Sequence, residues 1–256
     1  MSKTWIIGDI HGCFKALEQI FDRTPIEEGD TIISLGDIAD GWSQTYECVE
    51  FLLNLQKKYN CIFIKGNHDD WFLDYLLYGQ HPGLFQGGKA TLVSYCNSLD
   101  RNYVDNFGVL NTNLLLEDIP ISHIEFFKNQ LLYYRDENNN FFVHGGFDRN
   151  KTIEFTEKIE PFNFYWDRDL WNKALSAESW KQPKLKTEED FNEIFIGHTS
   201  TMFWGKDKPM KAANIWNLDT GAGSGAGRLT IMNLETKEYY QSDPVNTLYP
   251  NERGRN

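Results

Sequence analysis

No run of about 18 apolar residues occurs anywhere in this sequence, so no segment is long enough to cross a bilayer as a helix. Cysteine is scarce. Cys13, Cys48, Cys61 and Cys96 have neither CxxC spacing nor framework density, which excludes a disulfide scaffold and favours reduced thiols in a cytoplasm, each packed as a small apolar side chain. Basic charge is in deficit: 25 Lys and Arg against 37 Asp and Glu give a formal net charge of -12. That balance argues against nucleic acid or an anionic membrane as partner, since both need a basic footprint. The first apolar stretch opens at Thr4, leaving no room before it for a signal peptide, so a soluble cytoplasmic protein is expected. Internal repeats are absent.

What is present is ample core material, with 41% hydrophobic and 15% aromatic residues in 256, enough for one large α/β domain. Five short apolar runs, rich in β-branched and aromatic residues, read as buried strands: Thr4-Trp5-Ile6-Ile7, Thr31-Ile32-Ile33-Ser34-Leu35, Cys61-Ile62-Phe63-Ile64, Phe141-Phe142-Val143 and Ile194-Phe195-Ile196. Directly after them come Gly8-Asp9-Ile10-His11-Gly12, Gly36-Asp37-Ile38-Ala39-Asp40, Gly66-Asn67-His68-Asp69, His144-Gly145-Gly146 and Gly197-His198. Ligands of α/β sheets bind beyond the carboxyl ends of the strands, so these clusters are expected to meet at one edge. Four of six histidines, together with Asp9, Asp37 and Asn67, then form a mixed imidazole, carboxylate and amide donor set suited to Mn, Fe or Zn rather than Ca. Two divalent cations on two carboxylates would leave a local excess of about two positive charges, which attracts phosphate despite the acidic chain.

Helices are expected after the first cluster, over 43–58, over 69–78, and from a capping box at Ser122 to Glu125. Residues 79–92 read as a loop leading into a helical rim, so 79–120 would overhang the site. Most of the aromatics Phe162, Phe164, Tyr165, Trp166, Trp171 and Trp180 are expected in the core, although they could also stack a nucleobase. Residues 214–241 read as hairpin-connected strands, with the glycines at 221, 223, 225 and 227 in a turn rather than a nucleotide fingerprint. The domain is expected to span 1–241, followed by a polar, fraying tail over 242–256.

GDxHG, GDxxD, GNHD, HGG and GH, in this order, resemble the calcineurin-like metallophosphoesterases, particularly their phosphoprotein phosphatase branch. The likeness runs from Trp5 to about Tyr240 and includes the segments 86–95, Trp166-Asp167-Arg168 and Asp219-Thr220-Gly221-Ala222. The resemblance implies an α/β fold of layered central sheets flanked by helices. It implies that Asp9 and His11 bind a first metal, that Asp37 bridges, and that Asn67, His144 and His198 bind a second. Manganese is the first expectation for both. By the same resemblance His68 protonates the leaving oxygen, Asp40 orients it, and Arg168 contacts phosphate.

The expected reaction is hydrolysis of phosphomonoesters by in-line attack of a hydroxide held between the metals. Phosphoserine and phosphothreonine proteins are the expected substrates, with symmetrical dinucleoside tetraphosphates or a small phosphate ester as the alternative and a noncatalytic phosphate-binding module as a remote one. Gly197-His198-Thr199-Ser200 lacks the second histidine of GHxH, which favours the phosphatase branch. The chain departs from GDxxDRG, having Gly41 and Trp42 where the resemblance would place arginine and glycine. Lys65 and Lys89 are candidate substitutes for that arginine, and Gly41→Arg is expected to improve phosphate binding.

Overall fold

The apolar runs ahead of the five clusters are buried on both faces apart from Thr4, Thr31, Cys61 and Ile62, which are half-buried, as strands inside a layered fold should be. The computed structural model describes residues 2–106 and 109–255. Its strands are β1 (Thr4–Ile7), β2 (Thr31–Ser34), β3 (Asn60–Phe63), β4 (Tyr103–Asn106), β5 (Val109–Thr112), β6 (Tyr133–Arg135), β7 (Phe141–Val143), β8 (Ile194–Ile196), β9 (Met210–Ala212), β10 (Ile215–Asn217), β11 (Thr230–Asn233) and β12 (Tyr239–Gln241). Its helices are α1 (Phe14–Arg23), α2 (Thr45–Leu55), α3 (Asn67–Tyr78), α4 (Gly88–Ser98), α5 (Ile121–Lys128), α6 (Ile153–Ile159), α7 (Asn163–Trp166), α8 (Asp169–Ser179) and α9 (Val245–Leu248).

Ten strands form two five-stranded sheets, ordered β12-β11-β1-β2-β3 and β6-β7-β8-β10-β9. In the first, β1, β2 and β3 run parallel; in the second, β7, β8 and β10 do. The side-chain period of two splits each strand between layers. Ile6, Ile33, Phe142, Phe195, Leu218 and Met232 fill the space between the sheets. Their neighbours Trp5, Ile7 and Ile32 turn to a core shared with α1 and α2, while Phe141, Val143, Ile194 and Ile196 pack on α8. The result is the layered α/β arrangement expected, with helices outside both sheets. Among the described residues no helix is long and apolar enough to cross a membrane.

Several local expectations need correction. The helix expected from 69 opens two residues earlier, so Asn67 and His68 lie in its first turn, with Gly66 as N-cap. Helix α5 starts at Ile121 behind Pro120, placing Ser122 inside the first turn and removing the expected capping box. The excursion after residue 79 is not purely helical, since α4 is followed by the hairpin β4–β5; Phe107 and Gly108 of that stretch lie outside the described residues. Strands β11 and β12 do form a hairpin, but β10 belongs to the other sheet, so the glycine-rich stretch, which does turn, with the Ser224 N–H on Gly221 O, crosses between sheets rather than closing a hairpin. Of the six aromatics between 162 and 180, Phe162 (51% exposed), Trp166 (39%) and Trp180 (79%) reach solvent, while Phe164 and Trp171 are core.

The tail is not frayed. Its apolar residues Val245 and Tyr249 are buried, and Tyr249 stacks on Trp42 with ring centroids 5.0 Å apart. A sequence window of polar residues around two prolines conceals that anchor.

Candidate active site

Each cluster follows a strand end, and the turn that leaves the strand aims its side chains at a common point. The turns are tight. His11, Asp37, Asp40 and His198 all hold positive φ (50°, 51°, 65° and 65°), a conformation tolerated more readily by Asp and His than by most residues and concentrated at functional sites. Glycines allow the close approach; a Cβ on Gly66 would sit 2.0 Å from Asp37 Oδ1.

Two overlapping groups of ligand atoms result, each lying within 4.8 Å of one another: Asp9, His11 and Asp37, and Asp37, His144 and His198. Asp37 Oδ2 lies 3.5 Å from His11 Nε2 and 3.3 Å from His144 Nε2. Asn67 Oδ1 is 3.3 Å from His144 Nε2. The structure thus brings together all six residues expected to ligate metal.

Outer hydrogen bonds orient these donors. His11 Nδ1 donates to Asp40 O (2.6 Å) and His144 Nδ1 to Leu35 O (2.8 Å), so each ring turns Nε2 inward. Asp37 Oδ1 accepts the His68 N–H (3.0 Å), and Asp9 Oδ2 the His198 N–H (3.0 Å). The inward atoms Asp9 Oδ1, Asp37 Oδ2 and His198 Nε2, and beside them Asp219 Oδ2, are buried and have no hydrogen-bond partner among the described residues. Unpaired buried acceptors cost about 1–3 kcal/mol each, and more when charged, so a cation is the partner this donor set fits.

The electrostatics agree. Burial, reinforced by Asp219, raises the Asp9 carboxyl above its usual range. Burial also opposes ionisation of Asp37, yet His144 and His68 outweigh it and hold that carboxyl well below the usual range. Burial works against a charged His144, but Asp37 and Asp9 push it up to about 9, as carboxylates short of positive charge would. His11, by contrast, is pushed down to about 3 by burial and by Arg255, leaving a neutral ring with a lone pair.

Beside the donors lies an acid–base pair. His68 Nδ1 meets Asp40 Oδ2 at 3.0 Å, and Asp40 Oδ1 accepts from His81 Nε2 (3.1 Å) and Thr91 Oγ1 (2.9 Å). Burial opposes the Asp40 charge, but the bonds from His68 and His81 outweigh it and keep the carboxyl below its usual range. With Asp40 ionised, His68 Nδ1 carries the proton in this pair and Nε2 faces the site.

Arg168 donates from Nη1 to His198 O and to Thr199 Oγ1, both at 2.9 Å. Two indoles border the same opening. Trp71 meets the His68 ring (4.8 Å) and Trp166 (5.1 Å), and Trp166 in turn meets the His198 ring (5.9 Å). The two lysines offered as phosphate anchors are engaged elsewhere: Lys65 with Asp70 at 3.2 Å, and Lys89 with Asp105 at 3.9 Å.

Sequence reasoning missed four residues here. Asp69, the last residue of its cluster, accepts four bonds, from the N–H groups of Ile38, Ala39 and Gly66 and from Gln130 Nε2, and so ties the second and third clusters together. His81 arrives from the excursion loop with no flanking motif. Asp219 sits in a segment singled out only by resemblance. Arg255, in the tail, donates from Nη1 to His68 Nε2 (2.8 Å) and His11 Nε2 (3.2 Å), and nothing in its local sequence signals that placement.

The model of the calcineurin-like phosphoesterase family matches residues 2–211. Among curated proteins, the asymmetrical bis(5'-nucleosyl)-tetraphosphatase PrpE of Oceanobacillus iheyensis is 23% identical over 256 residues, covering 91% of this chain and 89% of its own. Serine/threonine-protein phosphatase 1 of Salmonella typhimurium is 22% identical over 238 residues, covering 90% and 91%. A metallophosphoesterase from Sphaerobacter thermophilus has a similar solved structure, with a TM-score of 0.55 at 17% identity over 94% of this chain and 89% of that one.

Proposed function

This chain belongs to the calcineurin-like phosphoesterase family and is a phosphoric ester hydrolase; within that family we propose that it is a dinuclear enzyme acting on phosphomonoesters, phosphoserine and phosphothreonine in proteins first. The observation that carries the reading is the convergence of the unpartnered Asp9 Oδ1, Asp37 Oδ2 and His198 Nε2 beside the His68–Asp40 pair. Asp9, His11 and Asp37 would hold one divalent cation; Asp37, Asn67, His144 and His198 would hold the other. Such cations, when bound, supply Lewis acidity toward a phosphoryl oxygen and lower the pKa of water toward neutrality. The nitrogen and oxygen donor mix suits manganese first, then iron or zinc.

The chain's own groups do the rest. His68 delivers a proton from Nε2 to the departing oxygen, a contribution of about 10²–10⁴ in rate. Asp40, held by His81 and Thr91, keeps that ring oriented through Nδ1. Arg168 offers its guanidinium to the phosphate at the open side. The expected domain of 1–241, with 79–120 as its rim, extends in this reading through the packed tail to Arg255, and the four free cysteines suit a reducing cytoplasm.

A second reading, hydrolysis of dinucleoside tetraphosphates, is favoured by Trp71 and Trp166. Their contacts with His68 and His198 put aromatic faces beside the reaction centre, where a base could stack. The manganese-loaded protein should be assayed against phosphopeptides, aryl phosphates and dinucleoside tetraphosphates, each with wild type and Trp166→Ala. Phosphopeptide turnover indifferent to Trp166→Ala supports the first reading. Turnover confined to the dinucleotide, with KM rising about tenfold in the variant, replaces it with the second. No turnover of any ester would leave only a noncatalytic phosphate-binding module.

A further inference from the structure

We infer that Arg255, carried into the active site by the C-terminal strap 249–255, is a phosphate-recognising residue of the reaction proposed above, facing Arg168 across the site. The inference rests on that reading of the site as a phosphoesterase centre.

The strap is a built structure. Tyr249 is 3% exposed, stacks on Trp42, donates from its hydroxyl to Gln44 Oε1 (2.6 Å) and accepts the Lys15 N–H (3.0 Å). Glu252 then receives both the N–H (3.1 Å) and the hydroxyl (2.8 Å) of Ser43, two residues beyond Gly41. Gly254 takes φ +68°, bridges to Ser224 and lies against the Trp42 ring, and the Arg255 N–H closes on Gly223 O at 2.7 Å. An aromatic pair and five oriented hydrogen bonds thus fix the backbone from which the guanidinium departs. Trp42 is the platform, itself locked by Nε1 donating to Ala222 O at 2.7 Å.

The guanidinium ends among groups that do not match it. Both short contacts come from Nη1 and go to imidazole nitrogens, while its ion-pair distance to Asp37 Oδ2 is 4.0 Å. An arginine fork is suited to paired oxygens of a carboxylate or phosphate, and neither bond engages Nε or Nη2. A divalent cation on His11 and Asp37 would repel this guanidinium from the same atoms. A phosphate that bridges cation and arginine removes that repulsion and releases His68 Nε2 for its proton. Arg168 stands on the His198 side and Arg255 on the His11 and His68 side, so an anion between them is held from both flanks.

The geometry also explains Gly41. Its φ is +146°, and a Cβ there would lie 2.8 Å from His11 O and 2.9 Å from His11 Cβ, so this turn has no room for a side-chain anchor of its own. The strap packed on Trp42 brings the guanidinium from elsewhere.

The test is calorimetric titration of inorganic phosphate into manganese-loaded wild type, Arg255→Ala, Arg255→Lys and Glu252→Gln, with bound metal quantified on each sample and steady-state kinetics on p-nitrophenyl phosphate. Arg255→Ala should raise the phosphate dissociation constant and KM about tenfold or more, with kcat and metal content changed far less. Arg255→Lys should fall between the two, because a point charge replaces a fork, and Glu252→Gln should weaken binding by loosening the strap. Methylguanidine should restore part of the affinity of Arg255→Ala. Unchanged phosphate affinity in Arg255→Ala would overturn the inference, as would tighter metal binding without loss of phosphate, which would make Arg255 a competitor for the cation. Wild type that binds phosphate in an Arg255-dependent way but hydrolyses no ester would instead sink the phosphoesterase reading and leave the recognition role standing.

Discussion

The floor of the site and its mouth are built by different means. On the floor, Asp9, His11, Asp37, Asn67, His144 and His198 are buried, sit within a few residues of strand ends, and come from both sheets. At the mouth, Arg168, Arg255, Trp71 and Trp166 are partly open to solvent and come from α3, the α7–α8 junction and the strap. Sheet pairing sets the floor, because strand register leaves little freedom for the first residues beyond a strand. Contacts between loops set the mouth, and these can be exchanged without disturbing the layers. On the function proposed above, the rigid part would hold the chemistry and the adaptable part would set substrate choice.

That division predicts how each part fails. Asp37→Asn strikes the shared donor of both ligand groups, so activity should be abolished and metal content, by inductively coupled plasma analysis, should fall below about one equivalent. Two tightly held equivalents in the variant would break the assignment of Asp37 to both groups. His68→Asn lies at the border of floor and mouth; it should retain metal while kcat for esters with poor leaving groups falls about 10²–10⁴-fold. An undiminished kcat on phosphopeptides would remove His68 from proton transfer.

Gly41→Arg should have the smallest effect, and its sign reverses the expectation from sequence. Strain at φ +146° and the contact with His11 should cost about 1–3 kcal/mol, which for a chain of this size lowers the melting temperature by roughly 2–10 °C. KM for aryl phosphates should rise as His11 is displaced. A variant that melts like wild type and binds phosphate more tightly would show that the turn can yield.

The legibility of these parts followed the range of the forces involved. Strand positions and the clusters behind them were readable because an apolar run followed by Gly and a polar donor is a local pattern with a local cause. His81 and Asp69 were not, because their roles arise from hydrogen bonds to Asp40 and to the turn at Ile38, each tens of residues away. Ser122 misled for the opposite reason: its local capping pattern was sound, but Pro120 had already begun the helix.

By itself, the sequence determined that strand ends would present carboxylates, imidazoles and an amide, since residue type and the two-residue period of a buried strand dictate both. Only the tertiary structure decided that the tail would bind Trp42 and carry Arg255 to His68, because stacking and pairing over some two hundred residues leave no periodic trace in the chain.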